Sequence, residues 1–206
     1  PSRSRFDRND TLASTCECEP GTFMDVYNGE CVECPIGRYL ANWGATSINE
    51  CAQCPTHSTT MSSASDAFSE CACPPLSVLN SEDASLATTC ECVAGYFMVA
   101  SEGQCASCPI GRYGENQGAT TVNDCPSCPT YATTNTTNSS AFSECFCPSR
   151  SRFDRNDTLA STCECEPGTF MDVYNGECAE CPTGRYRMEW GGTSLNDCML
   201  CPILAT

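Results

Sequence analysis

Apolar positions along this chain are scattered rather than periodic. No segment sustains an apolar residue every three to four positions, so no amphipathic helix is predicted. Short apolar stretches at Thr22–Met24 and Tyr96–Val99 predict strands of a few residues. Between such stretches Gly, Pro, Asn and Ser break the chain every few positions, which predicts turns and loops. Pro35, Pro55, Pro109, Pro129 and Pro182 each follow a cysteine and fix the backbone where it leaves that residue. No apolar run approaches the roughly 20 residues a membrane-spanning helix needs, so no membrane insertion is expected in this segment. The pattern predicts short β-hairpins and loops with little helix.

Composition changes what can hold such a chain together. Leu, Ile, Val and Phe number only 28 of 206 residues, a fraction that ordinarily accompanies disorder. The 22 cysteines reverse that expectation. A bridge closing a loop of about 15 residues is worth roughly 3 kcal/mol in the chain-entropy model. A chain poor in aliphatics and rich in cysteine is therefore expected to form a string of small disulfide-rich modules, as in secreted proteins.

Internal repetition defines those modules. Residues 1–31 recur unchanged as residues 148–178. A divergent copy lies between them, giving repeat A (1–73), repeat B (74–147) and a truncated A′ (148–206). Cysteine spacing keeps the same frame: C-x-C (16, 18), C-x-x-C (31, 34), C-x-x-C (51, 54) and C-x-C (71, 73) return in B at 90, 92; 105, 108; 125, 128; and 145, 147. The sequence begins and ends inside a repeat, which suggests a longer secreted chain.

Charge narrows the function classes. The formal net charge is −16, and all ten basic residues are Arg. Such a surface disfavours nucleic acid and anionic lipid as partners. The C-x-x-C pairs have the residue type of zinc knuckles, but with a single His and an extracellular composition the favoured reading is disulfides and no metal. Ile48–Cys51 partly echoes a calcium-binding start without a dense oxygen cage. His57 stands where copy B has Tyr131, so a catalytic site is not expected and no cofactor is implied. Arg38, Arg112 and Arg185, with Tyr39, Tyr113 and Tyr186, recur in a Gly-Arg-Tyr tripeptide. The expected role is structural, with Tyr packed on a bridge and Arg over a ring or beside a carboxylate.

The run CxxCPxGRY (Cys31–Tyr39), then CxxCPxxxTT (Cys51–Thr60), then CxC (Cys71–Cys73) resembles the ephrin-receptor-like cysteine-rich module. Cys90–Phe97 is similar to the EGF-like element that accompanies it, and the spacing is similar to tumour-necrosis-factor-receptor modules. The resemblance implies elongated, rod-like extracellular repeats. It also implies a pairing: Cys18–Cys31, Cys34–Cys54, Cys51–Cys71, Cys73–Cys90, Cys92–Cys105, Cys108–Cys128, Cys125–Cys145, Cys147–Cys163, Cys165–Cys178 and Cys181–Cys201, with Cys16 and Cys198 left over.

Function is expected to be structural. The favoured reading is a subunit of an extracellular fibre, stalk or flagellar-hair-like filament; the alternative is a receptor or adhesion ectodomain that binds a protein ligand. Asn9, Asn135, Asn138 and Asn156 satisfy the N-linked acceptor pattern, and the Ser/Thr clusters at Thr56–Ser65 and Thr130–Ser140 are candidates for O-linked sugar. Arg3, Arg5 and Arg8, with their copies Arg150, Arg152 and Arg155, form a basic patch on an acidic chain and are expected to contact neighbouring copies; an intrachain role beside Glu17 or Glu19 is the alternative.

Overall fold

The computed structural model describes residues 3–6, 16–81, 86–154 and 162–202, with side chains of Arg5 and Phe6 outside the description. The chain divides into two compact units, Pro1–Cys92 with Met98–Cys105, and Val93–Phe97 with Ala106–Thr206. Both are built from small disulfide-rich repeats of short hairpins. All sheets among the described residues have two strands, and the helices there are five single 3-10 turns of three residues.

In the first unit, Ser4–Phe6 pairs antiparallel with Cys16–Cys18, and Thr22–Asp25 with Glu30–Glu33. Arg38–Tyr39 pairs with Ala52–Gln53, and Ser77–Leu79 with Cys90–Cys92. The strand expected at Thr22–Met24 is the first strand of the second hairpin. Its turn is fixed by side chains: the Asp25 carboxylate accepts from Tyr27 N–H, the Asn28 carbonyl from Glu30 N–H, and Gly29 takes φ 69°.

The interior is cystine and hydroxyl rather than aliphatic. Cys34, Leu40, Ala45 and Cys51 cluster with Phe23 against them. Thr22, Thr60 and Ser65 are fully buried, and each has its hydroxyl spoken for by backbone. Thr60 accepts from Gly37 N–H at 3.0 Å and donates to the Ser62 carbonyl at 2.9 Å. A buried polar group carries no desolvation penalty when so satisfied. This is how a chain with few aliphatics still has an inside.

The second unit repeats the plan. Ser151–Phe153 pairs with Cys163–Cys165, Thr169–Asp172 with Glu177–Glu180, and Arg185–Tyr186 with Met199–Leu200. Cys163, Cys165 and Met171 form its cluster, joined by Phe153, Cys147 and Cys178. Phe142 stacks tilted on Phe153 and edge-on to Tyr113, each at 5.8 Å between ring centroids.

Ten bridges follow one rule: every bridged cysteine joins its neighbour in the sequence. The pairs are Cys18–Cys31, Cys34–Cys51, Cys54–Cys71, Cys73–Cys90 and Cys92–Cys105. They continue as Cys108–Cys125, Cys128–Cys145, Cys147–Cys163, Cys165–Cys178 and Cys181–Cys198. Five of these are the pairs implied by the resemblance. The other five are corrections: Cys34–Cys54, Cys51–Cys71, Cys108–Cys128, Cys125–Cys145 and Cys181–Cys201 do not form. Cys198 is bridged, and the unbridged cysteines are Cys16 and Cys201.

The reason lies in the pleat. Ala52–Gln53 is extended, so Cys51 and Cys54, three positions apart, face opposite sides of the chain. Cys51 looks into the cluster that holds Cys34, whereas Cys54 sits over Gly37, whose carbonyl takes its N–H at 2.9 Å. An interlocked pairing would need both to face one interior.

Candidate assembly and modification surfaces

The Gly-Arg-Tyr tripeptide is a fastener. The Arg38 guanidinium donates to the Cys51 carbonyl at 2.8 Å, Arg112 to that of Cys125 at 2.7 Å, and Arg185 to that of Cys198 at 2.8 Å. That carbonyl lies just past a 3-10 turn, so the arginine holds each turn against its hairpin. Tyr39 meets Phe68 edge-on at 5.8 Å, as Tyr113 meets Phe142. The expected structural role stands, but the partners are a backbone carbonyl and a phenylalanine, not a carboxylate and a bridge.

Each 3-10 turn is closed from its other end by a carboxylate. Glu50 accepts the N–H groups of Thr46 and Ser47, Asp124 those of Thr120 and Thr121, and Asp197 those of Thr193 and Ser194. These bonds, the Thr46, Thr120 and Thr193 N–H groups foremost, favour the ionised form and hold all three carboxyls below their ordinary values. The signal was present in the sequence as Thr-[Ser/Thr]-x-Asn-[Glu/Asp]-Cys, a Ser/Thr followed three residues later by an acid.

The basic segment is spent inside its own module. Arg3 pairs with Glu33 at 2.7 Å and with Glu19 at 3.6 Å. Its copy Arg150 pairs with Glu166 at 2.6 Å and Glu180 at 2.8 Å. Arg152 lies 3.7 Å over the Trp190 ring and 3.7 Å from Glu164. These three arginines make intrachain contacts with carboxylates, as the alternative reading expected. Phe153 is half-buried, packed against Phe142 and the second unit's cluster. Arg8, Arg155, Asn9 and Asn156 lie outside the described residues, as does the Arg5 side chain.

What projects instead is the tip of the Asp25–Glu30 turn. Tyr27 is 96% exposed and Val26 75%, and their copies Tyr174 and Val173 are 97% and 63% exposed. Copy B carries Ala100 and Ser101 at the matching tip. The sequence reading passed over this pair; the available signal was an apolar dipeptide placed beside Asn-Gly, where a turn and not a core is expected.

Asn135 and Asn138 are exposed, as an acceptor must be. Asn138 takes a left-handed backbone, φ 63°, with its N–H held by the Cys108 carbonyl at 2.9 Å. His57 and its counterpart Tyr131 share φ 65° and 68°, marking both as turn positions. Among the described residues no three acidic, histidine or cysteine side chains converge as a metal site. No helix there is long and apolar enough to cross a membrane.

The module bounded by these features can be stated residue by residue. It opens at Gly21, runs through the Cys31–Cys34 pair, the arginine fastener and the acid-closed turns, and shuts at Cys71; its second copy runs from Gly95 to Cys145. The family model for tyrosine-protein kinase ephrin type A/B receptor-like segments matches residues 21–71 and 95–145. These two segments are ephrin-receptor-like modules. Each ephrin-receptor-like module thus begins at a glycine that lies against a later loop of the same module, Gly21 on Ala64 and Gly95 on Asn138. A mouse protein, "Sushi, von Willebrand factor type A, EGF and pentraxin domain-containing protein 1", is 28% identical over 134 residues, which is 65% of this chain. The chain spans only 3% of that protein's length. Both comparisons identify cysteine-rich repeats of an extracellular type.

Proposed function

We propose that the chain is a non-catalytic structural subunit of an extracellular or cell-surface fibre or stalk, and that copies associate through the tyrosine tips. The observation that carries this reading is the tip pair Val26–Tyr27 and Val173–Tyr174, kept identical in the A copies, almost fully exposed, and replaced by Ala100–Ser101 in B. Folding does not require it, because B folds the same hairpin without it. Tyr is the residue type that gives contacts much of their energy, being large, amphipathic and low in rotamer freedom. Each tip is a weak contact by itself, and many tips along an assembly add through effective concentration. N- and O-linked sugars complete the surface, supplying solubility to a chain whose apolar side chains project outward.

The test replaces the A tips with the B residues: Val26→Ala, Tyr27→Ser, Val173→Ala and Tyr174→Ser together. Wild-type protein should sediment as assemblies and show an axial repeat in negative stain, and the variant should remain monomeric. Unchanged assembly in the variant rules out the tips. Isolated wild-type particles that bind a protein ligand would favour a receptor or adhesion ectodomain instead.

A further inference from the structure

Repeat B departs from A at three positions that line one cleft, and two of them change the chemistry, since Thr136 for Ser62 keeps a hydroxyl. Asn135 stands where A has Met61, which turns Met-Ser-Ser into the acceptor triplet Asn-Thr-Thr. Phe146 stands where A has Ala72. Both changes line a cleft of about 410 Å³, together with Thr136, Ser139, Ser143 and Glu144. Phe146 is 38% exposed although its backbone is pinned, its N–H and carbonyl both bonded to Thr133 at 2.9 and 3.0 Å. A rigidly held, half-exposed aromatic ring beside an acceptor asparagine, with hydroxyls and a carboxylate on the other walls, has the composition of a sugar subsite. Apolar C–H faces of a pyranose lie on the electron-rich ring, and its hydroxyls meet polar side chains.

From this geometry we infer that Asn135 carries an N-linked glycan whose first N-acetylhexosamine lies in this cleft on the Phe146 ring. The inference rests on the reading that the chain is secreted and glycosylated. In the transfer step Nδ2 of Asn135 bonds to the anomeric carbon of a lipid-diphosphate-linked oligosaccharide. The bond from that carbon to the diphosphate oxygen breaks, the lipid diphosphate leaves with the electron pair, and the amide gives up one proton. Thr137, the hydroxyl residue of the triplet, is exposed and its side chain is not engaged in any bond among the described residues. The neighbouring acceptor is worse placed. The hydroxyl of its triplet, on Ser140, is already bonded to Glu144 at 3.2 Å, and Asn138 itself wedges its backbone against Gly95. Copy A, with Met61 and Ala72, has neither the acceptor nor the platform at this place, so this cleft can hold a sugar in repeat B alone.

The experiment uses the whole chain secreted from a eukaryotic host. Glycopeptide mass analysis reads occupancy at Asn9, Asn135, Asn138 and Asn156 together. Amide exchange at Thr133 and Phe146 is then compared in wild type, Thr137→Ala, Phe146→Ala and the double variant. Thr137→Ala removes the sugar and keeps Asn135. The expected result is an occupied Asn135 and exchange about 5-fold slower with the sugar than without it, a difference that vanishes once Phe146 is Ala. Sugar at Asn9 or Asn156 with Asn135 bare overturns this inference and leaves the glycoprotein reading intact. Bare peptide at all four positions overturns both. Occupied Asn135 with the same exchange difference in the Phe146→Ala background overturns the stacking.

Discussion

Replacing Gly21 by alanine should unfasten its module, and the same replacement at Gly29 should not. The two glycines belong to one module, and both are left-handed, with φ 81° and 69°. For an L residue that backbone costs about 1–2 kcal/mol. At Gly29 nothing lies within 4 Å of the added Cβ, so the conformational cost is the whole effect. At Gly21 the Cβ would sit 2.2 Å from the Ala64 carbonyl oxygen and 2.7 Å from its carbon. Neither atom belongs to a flexible side chain, so the two loops must part. Parting them disrupts the bonds from Cys34 N–H to the Gly21 carbonyl at 2.8 Å and from Ala64 N–H to the Cys34 carbonyl at 2.9 Å. At about 1 kcal/mol each these bring the total for Gly21→Ala to about 3–4 kcal/mol. Native-state amide exchange is the proper assay, because a chain of modules need not unfold in one step. Cys34 N–H should lose about 100- to 1000-fold protection in Gly21→Ala, and no more than about 5- to 30-fold in Gly29→Ala. Equal losses at the two sites would refute the close-approach argument, since only backbone conformation is common to both. Gly95→Ala should behave like Gly21→Ala, its Cβ meeting the Asn138 carbonyl oxygen at 2.4 Å.

Two further outcomes follow from the polar interior and the closed turns. Thr60→Val keeps shape but strands the Gly37 N–H against a buried side chain, and should cost about 1–3 kcal/mol, read as lost exchange protection at Cys54, whose N–H bonds the Gly37 carbonyl. The carboxyls of Glu50, Asp124 and Asp197 titrate below their ordinary values, so the unfolded chain binds more protons than the folded one in the acid range. Protection of the 3-10 turns should therefore be complete above the usual carboxylate range and fall as pH drops through the depressed folded values, below about pH 4. Glu50→Gln should flatten that dependence at Cys51, and a turn equally pH-sensitive without Glu50 would count against the closure by its carboxylate.

Much of the covalent pattern was legible in the sequence, and the connectivity was not. Spacing identified the modules, and punctuation by Gly, Pro and Asn identified hairpins. Spacing cannot choose between Cys34–Cys51 and Cys34–Cys54. Closing over 17 positions, as observed, rather than 20 changes loop entropy by only about 0.1 kcal/mol. The choice rests on which side of an extended segment each cysteine faces, and that is fixed by a hairpin of two residue pairs, Arg38 with Gln53 and Tyr39 with Ala52. So short a strand leaves almost no hydrophobic alternation to read. What pins its register is the Arg38 bond to the Cys51 carbonyl, a contact between residues 13 positions apart that no local pattern announces.

The same shortage of aliphatics bears on where the tips and the arginines lie. In an ordinary domain Val26 and Tyr27 would be drawn inward, and charge at Arg3 would remain outside for partners. Here bridges and buried threonines occupy the interior, so apolar residues are not needed there and can be left at a turn. The arginines are needed, because each two-stranded hairpin is too small to hold its neighbours by packing. Arg150 reaches two carboxylates, and Arg152 covers the Trp190 ring while approaching Glu164. Exposed pairs of this kind contribute little singly. Their value lies in joining segments that no common core unites: Arg150 links its own hairpin to Glu180 in the next, thirty positions along the chain. In a cystine-built chain, then, charge joins neighbouring segments and apolar side chains are left exposed at turns. The places that hydrophobicity and charge usually take are here exchanged.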